Sequence, residues 1–154
     1  MSITKILSRG ISTLPAGSVL QVVSATDTTN RTTSSSSYVT GSNTLSVSIT
    51  PSSTSNKIFI ITNFIAYLNS PTEGFFTIYR GATNLSGAPG MATLYVQASG
   101  QITTPISMSY LDSPNTTSAT TYQVYLKASG GGTINFSAYP GGGTASITAF
   151  EIAG

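Results

Sequence analysis

The segment from residue 102 to residue 110 reads ITTPISMSY, and its side chains alternate between two kinds. One side of the alternation carries Ile102, Thr104, Ile106, Met108 and Tyr110, and the other carries only hydroxyl and proline side chains. A period of two is typical of a β-strand with one buried and one solvated face. Residues 45–50 (LSVSIT) and 122–127 (YQVYLK) repeat the pattern. The alternation therefore predicts antiparallel sheets, each with one face exposed to solvent.

Extending this pattern along the 154 residues predicts nine strands. With 15 Gly, 7 Pro, 25 Ser and 25 Thr, the composition favours strands and turns over helices. The predicted strands cover residues 18–25, 44–50, 57–68, 74–80, 91–98, 101–111, 120–128, 133–139 and 144–152. We predict an all-β fold, an antiparallel β-sandwich that is jelly-roll-like and has eight to nine strands. An immunoglobulin-like sandwich is the alternative, although the Cys and Trp typical of that fold are absent from the sequence.

The first 17 residues, MSITKILSRGISTLPAG, differ in composition from the rest of the chain. They combine spaced apolar side chains with two of the six cations, and Gly10 and Pro15 argue against a continuous helix. We predict an N-terminal arm over residues 1–17 and a single β-sandwich domain over residues 18–154. The arm is either a disordered tail or a segment that docks into another chain. In the second case its partner-binding residues are Ile3, Lys5, Ile6, Leu7, Arg9 and Ile11.

The segment from residue 57 to residue 68, KIFIITNFIAYL, is apolar on both sides of the predicted strand. Thr62 and Asn63 interrupt it, and no segment reaches the roughly 18 to 20 apolar residues that span a bilayer, so no membrane insertion is expected. Loops or a neighbouring sheet edge could cover the second face, or the face could be a subunit interface formed by Phe59, Ile61 and Ile65. Only 6% of the residues are charged, which favours the interface, because interface cores are depleted in charge. We expect a homo-oligomer, and a trimer by analogy.

The composition excludes most catalytic chemistry. Without His or Cys the chain cannot build the usual nucleophile triads or zinc sites, and six scattered cations form no patch for nucleic acid. Asp112 and Glu151 are the candidates for a glycosidase pair. However, Asp112 opens a predicted Asp-Ser-Pro-Asn turn, where we expect it to cap backbone N–H groups, and Glu151 lies in the last predicted strand. We therefore predict no enzyme activity, no catalytic residue, no metal and no cofactor.

The eight tyrosines leave a binding role open. Tyr and Asn side chains commonly stack on sugar rings and bind their hydroxyls, so a host glycan is a candidate partner. Tyr is also favoured in strands and at interfaces, and the sequence singles out no subset of tyrosines.

Several strings resemble a known family. They are PAGSVLQVVSATDTT (15–29), LSVSITPSSTSNKIFI (45–60), TIYRGATNL (77–85), SYLDSPNTTSATTYQVYLKA (109–128) and TASITAFEIAG (144–154). They are similar to small structural or tail-fibre-like virion proteins of tailed phages that infect cyanobacteria and other aquatic bacteria. The resemblance covers most of the chain after the arm and implies a virion component. It carries over no functional residue.

An apolar arm joined to a low-charge sandwich is also similar in plan to phage capsid decoration, or cement, proteins. The resemblance therefore implies a non-enzymatic protein at the virion surface, made in the host cytoplasm, that binds the major capsid protein or other virion proteins. The alternative is a receptor-binding knob of a tail fibre or head appendage that recognises a host surface glycan.

Overall fold

The computed structural model describes residues 14–69, 72–97, 100–137 and 143–154. These residues form two antiparallel sheets and no helix. The strands are β1 (Val19–Asp27), β2 (Arg31–Thr33), β3 (Val39–Thr40), β4 (Ser46–Ile49), β5 (Lys57–Asn69), β6 (Thr72–Arg80), β7 (Thr83–Asn84), β8 (Ala92–Val96), β9 (Gln101–Asp112), β10 (Thr120–Ser129), β11 (Ile134–Phe136) and β12 (Ala145–Ile152). The prediction of an all-β antiparallel sandwich is confirmed.

The eight long strands are connected as a jelly roll. In the first sheet, called the β5 sheet below, they follow the order β1-β12-β5-β9. In the second, the β10 sheet, they follow β4-β10-β6-β8. The chain changes sheet at every step among these strands except from β6 to β8, which is the double Greek key of a jelly roll. The short strands β2 and β11 extend the β5 sheet, and β3 and β7 extend the β10 sheet.

All nine predicted strands are present, and the three that the sequence did not predict are two or three residues long. β2, β3 and β7 lie in segments too short to display an alternation, so only their pairing defines them. β9 carries Pro105 in its interior and, among the described strands, pairs with β5 alone. An edge strand tolerates this proline because one of its sides needs no backbone donors.

The core lies between the two sheets and is built from one side of each strand. On β5 the inward side chains are Ile58, Ile60, Thr62, Phe64, Ala66 and Leu68, all buried. The Phe64 ring contacts the opposite sheet, since its centroid lies 5.4 Å from that of Phe76 on β6. Within its own sheet the centroid lies 4.6 Å from that of Phe136 on β11. Thr62 is the polar member of this row, and its hydroxyl donates to the Ser146 carbonyl at 2.8 Å.

Two adjacent phenylalanines on β6 test this division between the inner and outer faces. Phe76 is fully buried and points into the core, whereas Phe75 is half-buried on the outer face. We expect Phe76→Ala to lower the free energy of unfolding by about 3–5 kcal/mol, the usual cost of a large cavity. Phe75→Ala is the matched control, and we expect it to cost about 1 kcal/mol, because its ring loses partial burial only. Equal losses in urea-induced unfolding would contradict the assignment of faces.

Candidate functional site

The outer face of the β5 sheet carries a row of apolar side chains across four strands. Phe59 on β5 is the cross-strand partner of Leu111 on β9 and of Phe150 on β12, and Phe150 is the partner of Val22 on β1. We call Leu111, Phe59, Phe150 and Val22 the apolar row. The Phe59 and Phe150 rings lie 6.3 Å apart between centroids. Side chains paired across strands share a face, so the four present one continuous apolar strip.

The ends of this strip expose large hydrophobic side chains to solvent. The described residues expose five large hydrophobic side chains, and three of them lie in or beside the apolar row: Val19 (53% exposed), Val22 (54%) and Leu111 (51%). Val19 pairs with Ile152, which pairs in turn with Lys57, the single charged residue of that neighbouring row. A contiguous apolar surface of this kind is typical of an interaction site.

Ile61 and Ile65 continue the outer face along β5. Ile61 is flanked by Ser109 and Thr148, and Ile65 faces Pro105. Asn63, Phe64, Ile65, Pro105, Ile106, Ser107 and Thr144 line an open depression of about 330 Å³ between β5 and β9. The structure thus places the three predicted interface residues, Phe59, Ile61 and Ile65, on one face. It adds Leu111, Phe150 and Val22, which sequence reasoning missed because the strand register was unknown.

The six predicted arm residues, Ile3, Lys5, Ile6, Leu7, Arg9 and Ile11, lie outside the described residues. The described chain starts at Leu14, and Gly17 donates its N–H to the Ala153 carbonyl at 2.8 Å. Residues 17–19 therefore lie where β1 starts and β12 ends, in the row next to the apolar row.

Asp112 does not cap the following turn, and that prediction is wrong. Its carboxylate is buried at the end of β9 and accepts hydrogen bonds from Arg80 Nη1 at 2.8 and 2.9 Å and from the Tyr122 hydroxyl at 2.6 Å. Arg80 and Tyr122 belong to the β10 sheet, so the ion pair holds the two sheets together. Burial raises the pKa of Tyr122, and the hydrogen bond and negative charge of Asp112 raise it further against the opposing charge of Arg80.

Glu151 is equally committed to structure. One carboxylate oxygen accepts from the Ser52 N–H at 2.6 Å, the Ser52 hydroxyl at 2.7 Å and the Asn56 amide at 2.6 Å. Burial raises the pKa of Glu151, but these donors outweigh it, and the pKa lies below its ordinary value. Asp112 and Glu151 are the partners of Ile58 on its two sides, so they do share one row. Both are buried there among their partners, an arrangement that presents no cleft to a sugar chain.

Asp27, a third buried carboxylate, is the last residue of β1. It accepts hydrogen bonds from Arg31 at 2.9 Å and Thr44 at 2.8 Å, and it contacts the Ser42 hydroxyl. Burial raises the pKa of Asp27, but the hydrogen bonds from Ser42, Thr29 and Thr44 hold it well below the usual range. Its role is to tie the turn after β1 to the loop before β4.

The outer face of the β10 sheet carries a second aromatic group. The Tyr79 and Tyr125 rings stack at 4.0 Å between centroids, and Tyr38 lies 6.0 Å from Tyr79. Tyr38 donates its hydroxyl to the Pro89 carbonyl at 2.6 Å, and burial, together with Tyr79, raises its pKa. Lys127 Nζ lies 4.9 Å from the ring centroids of both Tyr38 and Phe75.

The remaining tyrosines differ in exposure. Tyr67 and Tyr122 are buried, Tyr110 is half-buried and Tyr95 on β8 is 61% exposed. Tyr139 lies outside the described residues. Over the described ranges, no cluster of three acidic residues has the geometry of a metal site, and no helix could cross a bilayer.

Comparison with known proteins gives distant structural matches. No family model matches the chain, and no curated protein does. The VP2 subviral particle of infectious bursal disease virus is 15% identical, with a TM-score of 0.42 over 86% of this chain and 41% of that chain. The Gx strain of that virus gives 14% identity and a TM-score of 0.40 over 87% of this chain and 37% of that one. The chain spans about two fifths of the length of these structures, and similarity this low carries no argument about function.

The buried carboxylates can be tested as structural groups. Because the folded-state pKa of Glu151 lies below its ordinary value of 4.5, its charge stabilises the fold above that pH, and the contribution is lost on acidification. We expect Glu151→Gln to lower the free energy of unfolding by about 1–3 kcal/mol at neutral pH, and the deficit to shrink near pH 3. Asp112→Asn should cost about 2–4 kcal/mol, because Arg80 loses its charged partner and one of the two acceptor oxygens becomes an NH2 donor.

The measurement is urea-induced unfolding of each variant at both pH values. Glu73→Gln is the matched control, since Glu73 is the carboxylate that the fold leaves half-exposed, and its loss should change stability by less than about 0.5 kcal/mol. Full stability of Glu151→Gln at neutral pH would refute the structural role and make this carboxylate available for chemistry.

Proposed function

We propose that this chain is a non-enzymatic structural protein at the surface of a virion, and that it acts as a capsid decoration, or cement, protein. The apolar row on the outer face of the β5 sheet carries the proposal, because it supplies a contact surface where an enzyme would need a cleft. Three of the four carboxylates are held by structural hydrogen bonds, which leaves little for catalysis. Viral capsid domains are among the known uses of the jelly roll, and this fold-level analogy supports the proposal without deciding it.

In this proposal the apolar row is the contact between copies in a homo-oligomer, with a trimer as the expected form. Phe59 and Phe150 supply aromatic area at its centre, and Ser109 and Thr148 lie in the next row on one side. An apolar, aromatic centre with a polar rim is the usual anatomy of an interface. Lys57 is the charged side chain beside the row, so association would bury almost no charge.

The arm supplies the second contact. Ile3, Ile6, Leu7 and Ile11 would insert between neighbouring capsid subunits, while Lys5 and Arg9 pair with acidic groups there. Each bound oligomer would then favour the assembled shell by its binding free energy. The two contacts have different partners: the apolar row would join copies of this chain, and the arm would join the oligomer to the head.

A single charge in the apolar row tests self-association. Leu111 is exposed, so Leu111→Glu should leave the fold intact, whereas a carboxylate buried at the contact would disrupt it. In sedimentation experiments, we expect the unmodified protein to be an oligomer and the Leu111→Glu variant to be a monomer. Tyr95→Glu is the matched control on the opposite sheet, and it should sediment like the unmodified protein. An unmodified protein that is monomeric at all concentrations would contradict the proposed interface.

Removal of residues 1–14 tests attachment and separates the two functional candidates. If the arm is the anchor, the truncated protein should no longer bind purified heads that lack this protein, because its apolar anchors are gone. A full-length Lys5→Ala, Arg9→Ala variant keeps those anchors and should weaken mainly in its low-salt binding. Full retention of head binding after the truncation would exclude the arm as the anchor.

The second candidate is the receptor-binding knob of a tail fibre or head appendage. The aromatic side chains and Lys127 on the outer face of the β10 sheet favour it, because aromatic rings beside polar groups suit sugar recognition. A knob should keep its adsorption to host cells after removal of residues 1–14 and lose it when tyrosines of this face are replaced. A decoration protein should show the reverse pattern.

A further inference from the structure

One tyrosine of the β10 sheet takes no part in packing the outer face. Tyr38, Tyr79 and Tyr125 contact one another or the loop that ends at Pro89, and all three are half-buried. Tyr95 is 61% exposed. Its ring therefore presents aromatic area to solvent without a structural use among the described residues.

Strand pairing places polar side chains in the row of Tyr95 and in the row next to it. Tyr95 is the cross-strand partner of Glu73, and Glu73 is the partner of Ser129, whose hydroxyl donates to Glu73 Oε2 at 2.9 Å. The next row consists of Lys127, Phe75 and Thr93. With strands about 4.8 Å apart and alternate residues about 7 Å apart, the two rows cover about 10 by 7 Å.

The two charges in this surface are close but do not pair. Glu73 and Lys127 occupy diagonal positions on β6 and β10, where side chains lie about 7–8 Å apart. Within the described residues no ion pair includes either of them, since the two that occur join Arg31 to Asp27 and Arg80 to Asp112. Lys127 instead lies between the rings of Tyr38 and Phe75. A carboxylate acceptor and an ammonium donor therefore stand side by side.

This combination selects a class of ligand. At distances beyond their separation the two opposite charges largely cancel, so this surface has little long-range attraction for an anion or a cation. A ligand that donates and accepts hydrogen bonds gains from both groups, because one hydroxyl can donate to Glu73 and its neighbour can accept from Lys127. A sugar ring also has an apolar face that packs on an exposed aromatic ring.

We propose that Tyr95, Glu73, Lys127 and Ser129 form a binding site for a neutral oligosaccharide. Tyr95 stacks on one sugar ring, Glu73 accepts its hydroxyl donors, and Lys127 donates to an adjacent hydroxyl. This inference rests on the second candidate function and specifies its ligand. The site lies on the sheet opposite the apolar row. A decoration protein that self-associates through the apolar row would therefore also leave the site accessible.

The test is a titration of the full-length protein with maltotriose, cellotriose and diacetylchitobiose, followed by saturation-transfer NMR. Sialyllactose and choline serve as the anionic and cationic comparison ligands. We expect at least one neutral sugar to bind, with saturation transferred to the sugar. Because the chain has no Trp, its ultraviolet fluorescence comes from tyrosine and provides a second signal.

Four variants locate the site. Tyr95→Ala should weaken binding by about tenfold or more, and Tyr95→Phe, which keeps the ring, should remain within about twofold of the unmodified protein. Glu73→Gln should weaken binding by about tenfold, because the charged acceptor is lost. Thr121→Ala lies on the same face of β10 at its far end and is the matched control. The three positions are exposed or half-exposed, so the variants should unfold like the unmodified protein.

Two outcomes would overturn the inference: no neutral sugar binds at millimolar concentration, or sugar binding survives Tyr95→Ala unchanged. Preferential binding of sialyllactose or choline would overturn the ligand class. Head attachment is measured on the same preparations, and its result does not depend on the result of the sugar titration. Absence of sugar binding with retained head attachment would exclude this site and leave the decoration role standing.

Discussion

The structure depends on β5, a thirteen-residue strand that must find cover on both faces. Its backbone is paired on both sides, with β9 along almost its whole length and with β12 and β11 in turn along the other edge. Its inner side chains form the centre of the core, and the Phe64 ring reaches the β10 sheet. Its outer side chains, Phe59, Ile61 and Ile65, remain only half-covered in one copy. That imbalance between a satisfied backbone and an incompletely buried face is the physical reason to expect a partner.

The chain has few charged side chains, and half of them have a structural role. The chain has only ten Asp, Glu, Lys and Arg side chains in 154 residues, and it uses five of them in contacts that hold the fold together. Asp112 and Arg80 join the two sheets, Asp27 and Arg31 close the turn after β1, and Glu151 holds the loop before β5. Ser and Thr hydroxyls therefore keep the surface hydrated. A hydroxyl costs little free energy to bury when it forms a hydrogen bond.

The two outer faces differ in the chemistry they offer. The outer face of the β5 sheet is a strip of aliphatic and phenylalanine side chains, which suits contact with another protein. The outer face of the β10 sheet mixes tyrosines with Glu73, Lys127 and hydroxyls, which suits a hydroxylated ligand. Because the two chemistries lie on opposite sides of one sandwich, the proposed self-association and the proposed ligand binding would not compete for the same surface.

The sequence by itself determined the class of fold, because a period of two needs no knowledge of neighbours. The alternation seen at residues 102–110, extended along the whole chain, predicted the sandwich and nine of its strands, including the apolar strand at residues 57–68. It also indicated that Phe59, Ile61 and Ile65 share a face. Tertiary structure alone decided what joins them there, since Leu111, Phe150 and Val22 reach Phe59 only through strand register. Register also placed Glu73 beside Tyr95, and the packing of one sheet on the other brought Arg80 to Asp112. Neither kind of contact leaves a periodic trace in the strands that make it.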